Sequence, residues 1–527
     1  MNRAATKIIE NGRPQYVVVC PKKAPPNVIN ALDMLVEAIQ AKTGVRINRK
    51  SDGLPAGASH NPNEKAILIG KTNYEESQEV LSTLKPFEYK IAEIGSKVVV
   101  ASLDDTYLQT AINYYINNLL DKNLIEEEGG KTLFLEEYHF VPEKLAPSLI
   151  TVNRTSITEF AIVYPHSDPE YRRIGEDLQK VILANMGAEL PVYSDSEAER
   201  TNEILLGRTN RAFSQSVYSS TKKYIMTHSL EVSGSKLQIH SGGYLSALRC
   251  VVDMMSLFSP TNGKTELVDG SYRRTEILAA PTALSSEADI RVMTSNLLHA
   301  EWADDRIDVV YRAEIFAGIL RDYLPDSVGL QEMTDRWQNE LVKWFGVLRE
   351  EYGVEYSLCN NLHIYKNRRA NCTALLYRSD KYDCVDNETR ICTHWTPNMG
   401  ISLTMFHLQS KEDSSKEYIH INTHWDADSW TGARKDAISN ESSTLFNKWK
   451  RAGCPIFMTG DWNAIRGQAC MENFITATEA KTADDDTYCI EFTFYYGENI
   501  AVRGREILVK FSQLSDHYFR YTDFTLR

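Results

Sequence analysis

The sequence predicts a mixed α/β (α+β) chain of two small tandem domains followed by one larger α/β domain, and three observations carry that prediction. Its 527 residues exceed what one hydrophobic core covers, and roughly 100 to 200 residues per domain gives about three domains. Two stretches, 16–140 and 158–272, repeat the same landmarks in the same order. From Asp289 onward, apolar runs of strand length end repeatedly in Asn, Glu, His or Asp. The domains are therefore placed at 1–150, 151–280 and 288–527.

The first landmark of each front stretch is a short apolar strand, Tyr16–Cys20 in one and Glu159–Tyr164 in the other. A helix follows, with apolar residues three and four apart: Ala31, Leu35, Ala38 and Ile39, then Ile174, Leu178, Val181 and Ile182. Each helix runs into a glycine, Gly44 or Gly187, suited to a left-handed C-cap. The clearest match pairs Ala66-Ile-Leu-Ile-Gly-Lys-Thr-Asn73 with Ile204-Leu-Leu-Gly-Arg-Thr-Asn210. Turns at Gly95-Ser-Lys97 and Gly234-Ser-Lys236 come next, then amphipathic helices over 107–120 and 244–258, and each unit closes on Gly-Lys-Thr. Five landmarks in one order predict a tandem duplication. The Gly-Lys-Thr triplets are read as turns, because a phosphate-cradling loop needs a glycine where Lys65, Ile125 and Phe258 stand. Each unit resembles the small α/β domain that precedes the barrel in bacterial hexosaminidases and α-glucuronidases. That domain carries no chemistry, so the resemblance implies a scaffold, or a docking surface for a glycan or protein partner.

Residues 279–288, small and polar with one proline, read as a linker. Beyond them, Ile290–Thr294 is a strand leading to Asn296. A helix over 310–323 precedes a second strand, Ser327–Glu332, and Tyr418–Trp425 is a third that delivers His424 near its end. Arg434 lies on the helix after it. Pro455–Asn463 is an apolar strand running into Thr459-Gly460, then Asp461 and Asn463, and the chain nearly closes on Ser515-Asp516-His517. Strand ends of this kind are where α/β folds keep their chemistry. Each residue also has an ordinary reading: Asn296 as a helix cap, His424 as a core histidine, and Gly-Asp-x-Asn as a turn in which Asp bonds its own backbone.

The order Asn296, Gln331-Glu332, Thr423-His424, Gly460-Asp461-x-Asn463, Ser515-Asp516-His517 resembles the endonuclease/exonuclease/phosphatase family. The resemblance implies a four-layer α/β/β/α sandwich and a phosphoester hydrolase that uses Mg²⁺, with Mn²⁺ as an alternative. It implies Glu332, Asn296 and Asp516 as metal ligands and Asp461 as the base for water. Asn463 would be a donor to phosphate, with His424 and His517 at the phosphoryl oxygens or leaving group. Phosphoester chemistry asks for such a set: a hard cation, a base, and cationic donors for the charge that develops. One position departs from the family. Where an Asp normally orients the terminal histidine, Cys489-Ile-Glu-Phe-Thr-Phe494 offers Glu491, one methylene longer.

Composition narrows the substrate. With 43% hydrophobic and 24% charged residues the chain is neither disordered nor fibrous. No apolar run reaches the roughly 18 residues that span a membrane, and as written the N-terminus reads as cytoplasmic; a trimmed signal would make the protein secreted. Nine scattered cysteines without a Cys-x-x-Cys pair suggest reduced thiols, not a zinc site or a disulfide framework. The net charge is −13, and residues 281–527 hold 37 acidic against 27 basic side chains. That balance disfavours an extended polyphosphate, so nucleic acid ranks below a small, lipid or sugar phosphate. The one basic cluster, Lys366, Arg368 and Arg369, suits one or two phosphates, with Lys366 and Arg434 as substrate contacts. The alternatives are a metal-dependent nuclease and, in another class, a glycan- or partner-binding protein whose nuclease-like domain has weakened.

Overall fold

The computed structural model describes residues 6–55, 57–85, 88–103, 105–140, 150–220, 225–257, 265–275, 282–301, 303–359, 372–391, 402–425, 432–484, 489–508, 511 and 513–526. They form two compact units, one of Met1–Ile277 with Asp304–Glu314, the other of Leu278–Ala303 with Ile315–Arg527.

The first unit holds two six-stranded sheets that share one strand order. In the first the order is Arg49–Ser51, Val17–Cys20, Ala66–Ile69, Lys97–Ser102, Tyr89–Ile94, Tyr138–Phe140. In the second it is Val192–Ser194, Ala161–Tyr164, Glu203–Leu206, Lys236–Ser241, His228–Ser233, Gly270–Thr275. In both, the first four strands are parallel and the last two pairings antiparallel, so only the fifth strand runs against the others. The helices Pro26–Thr43 and Pro169–Met186 both begin with proline and stop at a glycine in the left-handed conformation, Gly44 and Gly187. Side-chain pairing repeats as well. Asp52 accepts hydrogen bonds from the amides of Lys22 and Asn73, and Asp195 accepts from those of His166 and Asn210. Each aspartate thus ties two turns at the carboxyl ends of its parallel strands.

The second unit is built on two more six-stranded sheets. One runs Tyr356–Cys359, Cys372–Arg378, Ser327–Met333, Ile290–Asn296, Phe519–Leu526, Ile500–Leu508; the other runs Tyr382–Ile391, Ser402–Ser410, Glu417–His424, Ile456–Asp461, Glu491–Tyr496, Lys481–Thr482. Only the central pair of each is parallel. The sheets meet face to face over Ile290, Val292, Leu375, Tyr382, Phe406, Leu408, Tyr418, Phe457 and Phe524. The Phe457 and Phe524 rings lie 4.5 Å apart, and each buried ring of this kind contributes about 2–3 kcal/mol. The helices Gly432–Lys450 and Ala469–Thr478 cover the outer face of the second sheet through Ile438, Leu445, Phe446, Met471 and Phe474. On the first sheet's side, the Phe316 ring from Val309–Tyr323 meets Phe519 edge-on at 5.8 Å. Phe345 of the helix Asp335–Tyr352 lies 6.4 Å from the ring of Tyr356. The result is a four-layer α/β/β/α sandwich.

A polar layer crosses the inter-sheet space near the site. His420 bonds Ser327 Oγ and Thr459 Oγ1, both at 2.8 Å, and burial pushes its pKa down to about 3, so the ring is neutral. Gln331 Nε2 donates to Asn422 Oδ1 (2.6 Å), whose amide donates to the carbonyls of Leu330 and Ala374. Gly329 makes this layer fit, since a Cβ there would stand 2.0 Å from Thr459 Oγ1 and 2.5 Å from Asn422 Oδ1.

Candidate active site

Both parallel strand pairs of the sandwich end at the same mouth. Ile290–Asn296 and Ser327–Met333 place Asn296 beside Gln331 in register, with Glu332 one residue further. Glu417–His424 and Ile456–Asp461 place His424 beside Asp461, and the antiparallel Glu491–Tyr496 places Glu491 on the other side of Asp461. Gly460 permits the close approach, because a Cβ there would meet the Thr423 carbonyl oxygen at 2.7 Å.

Asn296 is the hub. Its Nδ2 donates to Glu332 Oε1 at 3.2 Å and to Asp461 Oδ2 at 3.0 Å, so a single amide bridges two carboxylates. Its Oδ1 accepts from the Leu298 amide, and its backbone carbonyl accepts from Ser515 Oγ at 2.7 Å. The second contact ties the Ser-Asp-His segment to the first strand. Glu332 sits at φ +58°, where its strand's pairing slips between Leu330 and Met333, and such a bulge re-aims a side chain. Burial pushes the Glu332 carboxyl up. The opposing pull of His424, the His299 amide (2.7 Å to Oε2), Asn296 and His517 is larger and holds it below its ordinary value.

Asp461 is buried at 1% exposure. Its Oδ1 accepts from the Asn463 amide at 3.0 Å, the side-chain turn that an Asp-x-Asn sequence favours, while His424 Nε2 and His517 Nδ1 face Oδ2 at 3.6 and 3.7 Å. Asn463 occupies the left-handed region (φ +45°) and gives an amide proton to the Trp425 carbonyl at 2.8 Å. Trp425 and Trp462, which follow His424 and Asp461, pack edge-to-face at 5.0 Å and anchor both loops in the core.

Glu491 and His517 form the remaining pair. Glu491 Oε1 bonds His517 Nδ1, and Glu491 Oε2 accepts from the Cys489 thiol at 3.2 Å. Burial would lower the histidine's pKa. The Glu491 hydrogen bond, with the charges of Asp461 and Asp516, overrides it and raises the group to about 10, so the ring is an imidazolium at neutral pH. Glu491 moves the opposite way: burial raises it, but the hydrogen bond and charge of His517, with the Cys489 thiol and Arg520, bring it below its ordinary value.

The structure thus gathers Asn296, Glu332, His424, Asp461, Asn463, Glu491 and His517 at one place. Asp516 is half-exposed, with Oδ1 3.9 Å from His517 Nε2. Lys366 lies outside the described residues, as does the side chain of Arg434. Two contributors carry no sequence signal: the His299 amide, a backbone group, and Cys489, whose thiol meets Glu491 only after folding.

Asp461, Glu491 and His517 each bring one donor atom within 4.8 Å of the others. Among the described residues, neither Glu332 nor Asp461 pairs with a Lys or Arg; only histidines oppose their charge. One buried and one partly buried carboxylate so placed suit a hard cation. Asn296, however, presents its amide N–H to them, and its oxygen would reach an ion only after a half-turn of the amide.

No family model matches this chain, and no curated protein matches it in sequence. Solved structures similar to it include an endonuclease/exonuclease/phosphatase from Bacteroides vulgatus, at 21% identity over 45% of this chain and 99% of that one, with a TM-score of 0.38. The human Nocturnin catalytic domain with bound sulfate is 19% identical over 46% of this chain and 96% of its own, with a TM-score of 0.38. A mannosyl-6-phosphatase from Bacteroides thetaiotaomicron is 15% identical over 45% of this chain and all 100% of its own, with a TM-score of 0.36.

Proposed function

We propose that residues 288–527 hydrolyse phosphoester bonds with a divalent cation, Mg²⁺ or alternatively Mn²⁺, acting on a small, lipid or sugar phosphate in preference to nucleic acid. The observation that carries this reading is the pair of carboxylates, partly buried Glu332 and buried Asp461, bridged by one Asn296 amide and faced by two histidines. Glu332 is the principal ligand, with Asp516 and a turned Asn296 as supplementary ones. When bound, such a cation offsets the charge that develops on the phosphoryl oxygens.

The remaining steps fall to the chain's own groups. Asp461 takes the proton of the attacking water, its two oxygens fixed by Asn296 Nδ2 and the Asn463 amide. His517 stays protonated, held through Nδ1 by Glu491, and offers Nε2–H to a phosphoryl or leaving oxygen. His424 adds a second donor from the neighbouring strand. Asn463, bonded to the Trp425 carbonyl, fixes the loop that carries the base. The acidic balance of residues 281–527 supports a substrate with few phosphates. For 1–150 and 151–280 the shared strand order supports a duplicated scaffold; its proposed role is to dock a glycan or protein partner.

The test is hydrolysis of p-nitrophenyl phosphate and bis(p-nitrophenyl) phosphate by the full chain. Activity should require Mg²⁺ or Mn²⁺, vanish with EDTA, and fall about 10²–10⁴-fold in Asp461→Ala. Turnover that survives this substitution, or is absent with every cation, rejects the reading. Faster cleavage of single- or double-stranded nucleic acid than of small esters would make the enzyme a nuclease.

A further inference from the structure

The second sheet of the sandwich carries another cluster at the opposite end of its strands. On its helix-facing side Met405, Ile419, Ile421, Ile456 and Met458 form a continuous apolar surface. Two residues further along each strand, on the same face, that surface gives way to His407, Glu417 and Cys454. His407 pairs in register with Ile419, diagonal to Glu417, and Cys454 stands just ahead of the strand Ile456–Asp461. Glu417 opens the strand that His424 closes, seven steps and roughly 23 Å away at about 3.3 Å per residue, so this cluster is separate from the site above.

His407 Nε2 lies 2.9 Å from Glu417 Oε2 and 3.8 Å from Cys454 Sγ, and the three donor atoms all fall within 4.8 Å of one another. The Cys454 side is buried at 7% exposure, whereas the His407 and Glu417 side chains are 17% and 33% exposed, which gives an ion a way in from solvent. Among the described residues, His407 is the sole ion-pair partner of Glu417. We propose that His407, Glu417 and Cys454 bind Zn²⁺ through one imidazole nitrogen, one carboxylate oxygen and one thiolate, with water in the fourth position.

The distances suit that ion. With Zn–N and Zn–O near 2.0–2.1 Å and Zn–S near 2.3 Å, tetrahedral geometry asks for N···O of roughly 3.4 Å and S···N of roughly 3.5 Å. Ion entry therefore parts His407 from Glu417 by about 0.5 Å and draws Cys454 toward His407 by about 0.3 Å. A thiolate beside an imidazole selects zinc over magnesium. On binding, Cys454 gives its thiol proton to solvent, and His407 carries its remaining proton on Nδ1 so that the Nε2 lone pair faces the metal. The bound ion clamps three adjacent strands where the apolar packing of the helices ends.

The experiment uses the full chain in excess Mg²⁺, which occupies carboxylate sites, with Co²⁺ as the spectroscopic probe and Zn²⁺ as competitor. The expected result is a sulfur-to-cobalt charge-transfer band at one equivalent of Co²⁺, displaced by Zn²⁺. It should be lost in Cys454→Ser and retained in both Glu332→Gln and Cys489→Ser. Glu417→Gln, which keeps the packing, should weaken Co²⁺ binding at least tenfold. Thermal melts in Mg²⁺ alone identify any variant that fails to fold. No band in the wild type, or one that persists in Cys454→Ser or follows Cys489, overturns the proposal.

Discussion

Glu491 and His517, 26 residues apart, are joined through the carboxylate oxygen Oε1 and the ring nitrogen Nδ1. The strand that begins at Glu491 lies against Asp461, so one histidine faces both carboxylates. The second oxygen of Glu491 accepts from the Cys489 thiol.

If Glu491 orients His517, Glu491→Ala should lower kcat about 10–100-fold, the scale of an outer partner of a functional imidazole. Glu491→Asp should retain more activity than Ala, and His517→Ala should lose more than either. Steady-state kinetics of the three variants checks the order; Glu491→Ala at wild-type rate removes the pair from the mechanism.

The same pair predicts a pH dependence. His517 has a folded pKa raised from 6.5 to about 10, so its contribution to stability is complete below 6.5 and is lost as pH rises through about 10. Activity that relies on the imidazolium should decline over the same alkaline range. Glu491→Gln should move both transitions toward neutrality, as read from melting temperature and kcat between pH 7 and 10.5.

Glu332→Gln removes the carboxylate charge while preserving shape and the bond to the His299 amide. The Mg²⁺ concentration for half-maximal activity should rise at least tenfold, with little change in melting temperature without metal. An unchanged Mg²⁺ titration would take the ligand role from Glu332.

Asn296→Asp replaces the bridging amide with a third carboxylate between Glu332 and Asp461. Without metal the variant should lose about 1–3 kcal/mol, the cost of unmade buried hydrogen bonds, and more with the added repulsion. Mg²⁺ should restore part of it. Denaturant melts with and without Mg²⁺ measure both effects.

Gly329→Ala tests the polar layer. Its Cβ has nowhere to go between Thr459 and Asn422, and overpacking of this kind costs about 1–3 kcal/mol. The melting temperature should fall whether or not metal is present, which separates this effect from those at the site.

Much of the second unit was legible in the chain. Apolar runs ending in Asn296, Glu332, His424 and Asp461 marked four strands, because a strand's end and its side-chain alternation are local properties. In the front half, repeated glycine turns and helix spacings marked two units of like order, and both sheets display one strand order. Which strands pair is not local. Tertiary structure alone set Asn296 between Glu332 and Asp461, an amide bridge whose partners lie 36 and 165 residues away. It also decided that Glu491 meets His517, and that His407, Glu417 and Cys454 converge on one rim. Cysteine spacing along the chain shows no sign of that convergence. Sequence dictates what each segment can do; the register of strands that meet across the sheets decides which groups share a charge, a proton or a metal.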